Sequence, residues 1–97
     1  MMSSNERTKA ESIAEAVGVV IGAAGACDSI SRERLQSTVD KARDVVIAAA
    51  SDDADAATAV NRFSAAFGIG QTVVERGKID PQLVETAFTQ LERELLG

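Results

Sequence analysis

Residues 16–26 read AVGVVIGAAGA, a run without charge that contains three glycines and no side chain larger than isoleucine. A membrane-spanning helix needs about 20 consecutive apolar residues, and this run is bounded by Glu15 and Asp28. A phosphate-binding loop needs glycines after a strand, with Lys and Ser or Thr following. Neither the strand nor the Lys is present, so we interpret the run as part of a helix that another helix approaches closely.

Small residues occupy one stripe of this first helix when positions are spaced at about 100° per residue. This small stripe consists of Ala14, Gly18, Gly22 and Gly25. The adjacent stripe is bulkier and consists of Ile13, Val17, Val20, Ile21 and Ala24. Because glycine weakens a helix, three glycines on one face predict a compensating backbone contact. The sequence leaves open whether that contact is with another helix of the chain or with a second protein.

Four segments have the apolar spacing of helices, and capping residues separate them. The first starts near Ser3 or Ser4, since Ser3 and Glu6 have capping-box spacing, and it runs to about Gly25. Ser31 caps the second, whose apolar positions alternate steps of four and three. That apolar face consists of Leu35, Val39, Ala42, Val46 and Ala49.

The third segment begins at residues 51–53, which also end the second, and it continues towards Gly77. Glycine is the residue that most often follows a helix C-terminus. Inside this segment, Gly68 and Gly70 each cost about 1 kcal/mol relative to alanine. We therefore expect the third helix to kink or break at these two glycines.

The fourth segment begins with Asp80 as its cap and Pro81 in the first helical position. Its predicted buried face consists of Val84, Ala87, Phe88, Leu91 and Leu95. No window alternates with period two, so we expect no strands. The sequence thus predicts one all-α domain over residues 1–97, with residues 1–4 disordered. Its four helices form an up-down bundle or two packed helical hairpins.

Composition excludes several classes of function. The formal net charge of −5 opposes binding to nucleic-acid phosphates and to anionic membranes. With one Cys and no His, the chain has no internal disulfide, no zinc-type site and no base to activate a thiol. The polar N-terminus lacks the layout of a signal peptide, which predicts a cytoplasmic protein. We expect no catalysis, no cofactor and no metal.

We interpret the acidic residues at the start of the third helix and the single cysteine as structural rather than functional. Asp52, Asp53 and Asp55 fall in the first turn of the third helix, where carboxylates complement the helix dipole. They match no calcium loop, because the required glycine and distal Glu are missing. We expect Cys27 to be buried as a small hydrophobe and Glu15 to be exposed.

Three functional hypotheses follow, in decreasing order of preference. The first is a non-enzymatic module that associates through the small stripe, as a homodimer or with another protein. The second is a bundle that binds a small apolar ligand, where the break in the third helix opens a pocket lined by Phe63, Phe67 and Phe88. The third is a DNA-associated regulator, since residues 13–19 have helix-turn-helix spacing. The residues that follow, 21–29, contain no Arg, Lys, Asn or Gln to read bases.

Overall fold

The computed structural model describes residues 8–97. Four helices form in this part of the chain: α1 (Lys9–Gly25), α2 (Arg32–Ala49), α3 (Asp53–Glu75) and α4 (Pro81–Leu96). No strand occurs within the same residues, so the prediction of an all-α, four-helix fold is confirmed. The predicted helix start at Ser3 or Ser4 and the predicted disorder of residues 1–4 lie outside the described residues.

Capping side chains fix where three of the helices begin. Ser31, Asp52 and Asp80 are the N-cap residues of α2, α3 and α4, and each accepts a hydrogen bond from a backbone N–H of the first turn. Pro81 is the first residue of α4. Gly77 follows α3 with a φ of 69°, a left-handed conformation that glycine adopts without strain. These boundaries confirm the prediction from the sequence.

The start of α1 is set by a capping box at Thr8. The Thr8 hydroxyl accepts the Glu11 N–H at 3.2 Å, and the Glu11 carboxylate accepts the Thr8 N–H at 3.1 Å. The same hydroxyl donates to Asp55 Oδ1 at 2.7 Å, which ties the start of α1 to the start of α3. The T-x-x-E spacing of residues 8–11 is the sequence signal for this cap.

The helices have the directions of an up-down bundle. Gly18 lies against Phe63 and Ala66, and Gly22 lies against Phe67, so α1 and α3 run in the same direction. Short connections make α2 antiparallel to α1, as expected for helices joined by a few residues. Glu85 of α4 contacts Ser29, just before α2, and Glu92 contacts Arg34 within α2, so residue numbers rise together and α2 and α4 are parallel to each other.

α1 is the centre of the fold. It packs against each of the other three helices and most extensively against α3. α3 and α4 are consecutive in the chain but have almost no contact with each other, because α4 packs on α1 and α2. The near absence of contact between α3 and α4 contradicts two packed hairpins, and the parallel neighbours α1 and α3 depart from an up-down bundle in which consecutive helices are adjacent. The coarser prediction of a small helical bundle is confirmed.

The break predicted at Gly68 and Gly70 does not occur, since α3 is continuous from Asp53 to Glu75. Gly70 is buried, and a Cβ placed on it would overlap the carbonyl oxygen of Val19 in α1. Close packing of the two backbones offsets the low helix propensity of this glycine. Gly68 has open space at the Cβ position, so the structure gives no packing reason for glycine there.

Small and aliphatic side chains make up most of the core. The largest fully buried side chains are Phe88, Ile21, Val46 and Thr38. The Thr38 hydroxyl donates to the Arg34 carbonyl at 2.9 Å, so its burial leaves no unpaired donor. Cys27 is buried, as predicted, and its Sγ lies 3.4 Å from the Ala23 carbonyl oxygen. Burial raises the pKa of the Cys27 thiol.

Candidate functional site

The small stripe lies against α3 within the chain. Ala14 is fully buried. A Cβ on Gly18 would come within 2.8 Å of the Phe63 carbonyl oxygen, and a Cβ on Gly22 would overlap the Phe67 backbone. These contacts confirm the predicted close backbone approach. They also occupy the stripe, so Ala14, Gly18 and Gly22 are not available to a second protein.

Gly25, the last residue of the small stripe, differs from the other three because it is exposed. A Cβ on it would meet only the tips of two side chains, Phe67 Cζ at 3.4 Å and Leu35 Cδ2 at 3.5 Å. Both distances are within ordinary van der Waals range or close to it. One exposed glycine at the end of α1 is too small to form a contact surface, so an association surface has to lie elsewhere on the helix.

A further side of α1, opposite the small stripe, is apolar and remains open between its neighbours. Val19 is 40% exposed on this side, and Ile69 of α3, beside it, is 59% exposed. α3 borders this surface on one flank and α4 borders it on the other. We call it the open face. It consists of Ile13, Ala16, Val19 and Val20 on α1, Ala65 and Ile69 on α3, and Ala87 and Leu91 on α4.

A cleft of about 350 Å³ lies on the α4 flank of the open face. One wall comes from α1 and the other from α4. Its lining consists of Ile13, Ala16, Val17, Val20, Ala87, Gln90, Leu91 and Glu94. Ala87 is exposed here, which corrects its assignment to the buried face of α4. The reason is that α4 buries Val84 and Phe88 and turns its Ala87 side towards the cleft.

A smaller cleft of about 230 Å³ lies on the α3 flank. It combines the apolar residues Val19 and Ile69 with an ion pair at its edge. Arg62 Nη1 lies 3.5 Å from Glu15 Oε2, and Arg62 Nε lies 3.4 Å from Glu11 Oε2. The Glu15 side chain is 31% exposed, so it is partly buried where the sequence predicted exposure. Arg62 compensates the charge of Glu15 on this flank.

Hydrogen-bonded carboxylates join the starts of α1 and α3. The Thr8 backbone N–H holds the pKa of Glu11 below its usual range. The Ser51 backbone N–H and the Thr8 hydroxyl lower the pKa of Asp55 in the same way. Both carboxylates are therefore ionised at neutral pH, and they fix the parallel α1–α3 pair at its N-terminal end.

Arg34 attaches α4 to α2. Its guanidinium donates to both carboxylate oxygens of Glu92, at 2.8 Å and 3.2 Å, and lies 5.4 Å from the Phe88 ring centroid. The hydrogen bonds from Arg34 lower the pKa of Glu92. Ser29 also donates to Glu85 at 2.9 Å. These contacts hold α4 on α2, and α4 borders the open face of α1 without covering it.

Of the three phenylalanines predicted to line a pocket, Phe63 and Phe88 belong to the buried core, and Phe67 packs against that core partly buried. Phe88 is fully buried and Phe63 is 8% exposed. The rings of Phe63 and Phe67 lie 6.4 Å apart, centroid to centroid. None of the three side chains lines either of the two clefts on the open face. The three rings therefore pack within the protein and do not line the ligand pocket that was predicted at a break in α3.

The helix-turn-helix interpretation of residues 13–19 is wrong, because these residues lie within the continuous α1 and Gly18 makes no turn.

Asp52 caps α3, and Asp53 and Asp55 lie in its first turn, as predicted. Among residues 8–97, no group of three or more His, Cys, Asp or Glu side chains is placed to hold a metal ion. Within the same range, no helix is long and apolar enough to cross a membrane.

Comparisons of the chain with protein-family models, with curated proteins and with solved structures find no match. The open face is therefore the feature from which we infer a function. Sequence reasoning misses Val19, Ile69 and Ala87 as parts of one surface. The signal for this surface is the absence of charge from residues 16–26, since a helix with no polar side leaves apolar area wherever a neighbour is missing.

Proposed function

We propose that this protein is a non-enzymatic helical module that associates with a second copy of itself through the open face. The supporting observation is that α1 is apolar on every side along residues 16–26, whereas its neighbours leave one side open. Helices that are apolar all round are normally buried, and contiguous exposed apolar surface marks interaction sites. Val19 and Ile69 lie beside each other on the α3 flank of this surface.

The distribution of charge on the open face is compatible with a second copy as the partner. The chain has a formal net charge of −5, so two copies repel each other over most orientations. The charged side chains that line the two clefts of the open face are Glu15, Arg62 and Glu94. Two of these neutralise each other as an ion pair. Contact through the open face therefore brings few like charges together.

The available side-chain chemistry supports a role without catalysis. The chain contains no His, so the usual general base is missing. Its one thiol, Cys27, is buried and has a raised pKa, which keeps it protonated at neutral pH. The carboxylates with shifted pKa values are ionised partners in hydrogen bonds at helix ends and between helices.

The size of the open face predicts a weak and reversible dimer. The α1 residues of the open face run from Ile13 to Val20, about 12 Å of helix. Three helices side by side add a width of about 20 Å, so each copy offers about 240 Å². This is smaller than the roughly 800 Å² per partner of a standard interface. We expect dissociation constants from about 1 μM to about 1 mM.

Sedimentation equilibrium of three proteins tests the proposal: wild type, Val19→Glu and Ile47→Glu. Val19 lies on the open face, whereas Ile47, which is 48% exposed, lies on α2 outside it. Both substitutions add one charge at an exposed position, and circular dichroism checks that both variants stay helical. We expect wild type and Ile47→Glu to dimerise equally, and Val19→Glu to dimerise at least about tenfold more weakly.

Two results contradict the proposal. One is a wild-type protein that keeps the 10.1 kDa mass of a single chain up to millimolar concentration. The other is an equal weakening of the dimer in Val19→Glu and Ile47→Glu, which locates the contact away from the open face.

A further inference from the structure

We infer that the two copies interlock, with the Ile69 side chain of each copy seated in the α1–α4 cleft of the other. This inference rests on the proposed function, since it specifies how the second copy is placed. It starts from a protruding aliphatic side chain and an aliphatic cleft that lie on the same face of one chain. Ile69 is 59% exposed, and the cleft has a volume of about 350 Å³.

The protruding side chain and the cleft lie on opposite flanks of α1. Ile69 belongs to the α3 flank, where it borders a cleft together with Val19. The α1–α4 cleft lies on the other flank and has Val20 in its wall. Val19 and Val20 are consecutive, so they differ by about 1.5 Å in height along the helix axis. Ile69 and one end of the α1–α4 cleft are therefore level with each other.

A two-fold axis parallel to α1 brings these two features together. Rotation by 180° about that axis exchanges the two flanks of the open face but preserves position along the α1 axis. As a result, α3 of the second copy lies over α4 of the first. Both Ile69 side chains then meet clefts, because an isologous contact occurs twice. A two-fold axis perpendicular to α1, in the plane of the open face, instead places α3 of one copy over α3 of the other and leaves both clefts without an occupant.

The chemistry of the cleft suits an isoleucine. Most of its walls are aliphatic side chains and alanine methyl groups, with Ile13, Val17 and Leu91 as the larger members, and Gln90 and Glu94 complete the lining. An aliphatic side chain that leaves water for such a site gains the usual hydrophobic free energy without leaving a polar group unpaired. Glu94 also lines the cleft, so a carboxylate in place of Ile69 would meet a like charge.

Complementation between two variants tests the interlocked arrangement. Ile69→Glu removes the protruding side chain, and Ala87→Lys blocks the cleft. Each homodimer then has two defective contacts, and we expect each variant alone to dimerise at least tenfold more weakly than wild type. A mixture of the two variants has one intact contact per heterodimer, and the introduced carboxylate faces the introduced ammonium in the other. We expect the mixture to recover a dissociation constant within about tenfold of wild type.

A matched mixture of Ala87→Glu with Ala87→Lys serves as the control, because it also pairs an added carboxylate with an added ammonium but leaves both clefts blocked, and we expect it to stay at least about tenfold weaker than wild type. Sedimentation velocity with one labelled partner measures all mixtures. A dimeric wild type whose two variants fail to complement each other overturns the interlocked arrangement but leaves the open-face dimer in place. A monomeric wild type overturns both the interlocked arrangement and the open-face dimer.

Discussion

At the scale of single residues, glycines, which have no side chain, determine how closely α1 and α3 approach each other. A Cβ at Gly22 would overlap the Phe67 backbone, and a Cβ at Gly70 would lie 2.8 Å from the Ala23 nitrogen. Each glycine lowers helix stability by about 1 kcal/mol relative to alanine. Dispersion contacts between the two close backbones offset this loss, because many atoms of both helices come within van der Waals range.

Two glycine substitutions should therefore change stability in opposite directions. Gly22→Ala forces α1 and α3 apart, and we expect it to lower the free energy of unfolding by at least about 2 kcal/mol. Gly68→Ala adds a methyl group to an exposed helical position with nothing within 4 Å. We expect it to raise the free energy of unfolding by about 0.5–1 kcal/mol. Urea unfolding followed by circular dichroism measures both, and effects of the same sign would refute the predicted packing.

Acid should weaken the fold through carboxylates whose pKa values are lowered in the folded state. Hydrogen bonds lower the pKa values of Glu11, Asp55 and Glu92. The unfolded chain takes up these protons first, at about pH 4, so their stabilising contribution is complete at neutral pH. It is lost as the pH falls through the lowered pKa values.

Asp55→Asn separates this effect from general acid sensitivity. We expect the variant to be less stable than wild type at pH 7 and to lose less stability on acidification. Asp53→Asn, an exposed position in the same helical turn, is the matched control. Thermal unfolding at a series of pH values provides the measurement. Parallel pH profiles for wild type and Asp55→Asn would rule out this role of Asp55.

At the scale of helices, the cap of α1 also joins two elements. The Thr8 hydroxyl accepts the Glu11 N–H and donates to Asp55 of α3. Thr8→Ala removes both hydrogen bonds, and we expect a loss of about 1–2 kcal/mol in the free energy of unfolding. Thr58→Ala is the control, because the Thr58 hydroxyl bonds only the Ala54 carbonyl of its own helix. Equal effects of the two substitutions in urea unfolding would argue against the α1–α3 tie.

Helix boundaries could be predicted from the sequence because caps are local. Ser31, Asp52 and Asp80 each bond a backbone N–H within three residues, so nothing distant has to be known. The continuity of α3 at Gly70 could not be predicted in this way. The low propensity of glycine is a local property, whereas the compensating contact comes from Val19, about fifty residues earlier in the chain.

At the scale of the whole molecule, the central position of α1 explains why a close backbone contact could be predicted from the sequence and why the open face could not. The small stripe predicted a close backbone contact, and α3 provides it. The sequence could not tell which helix would be the partner, since the stripe pattern is the same for contacts within and between chains. The open face depends on α3 and α4 failing to meet, which is a property of the assembled bundle. The exposure of Ala87 has the same origin.

The most direct test of the open-face dimer is a dilution series of the protein with isotope-labelled Ile, Leu and Val methyl groups, followed by NMR. We predict that the methyl signals of Val19, Val20 and Ile69 shift together with concentration and fit a single dissociation constant. The methyl signals of Ile47, on α2, should stay fixed over the same range. Unchanged signals from the first three residues, or equal shifts at Ile47, would contradict association through the open face.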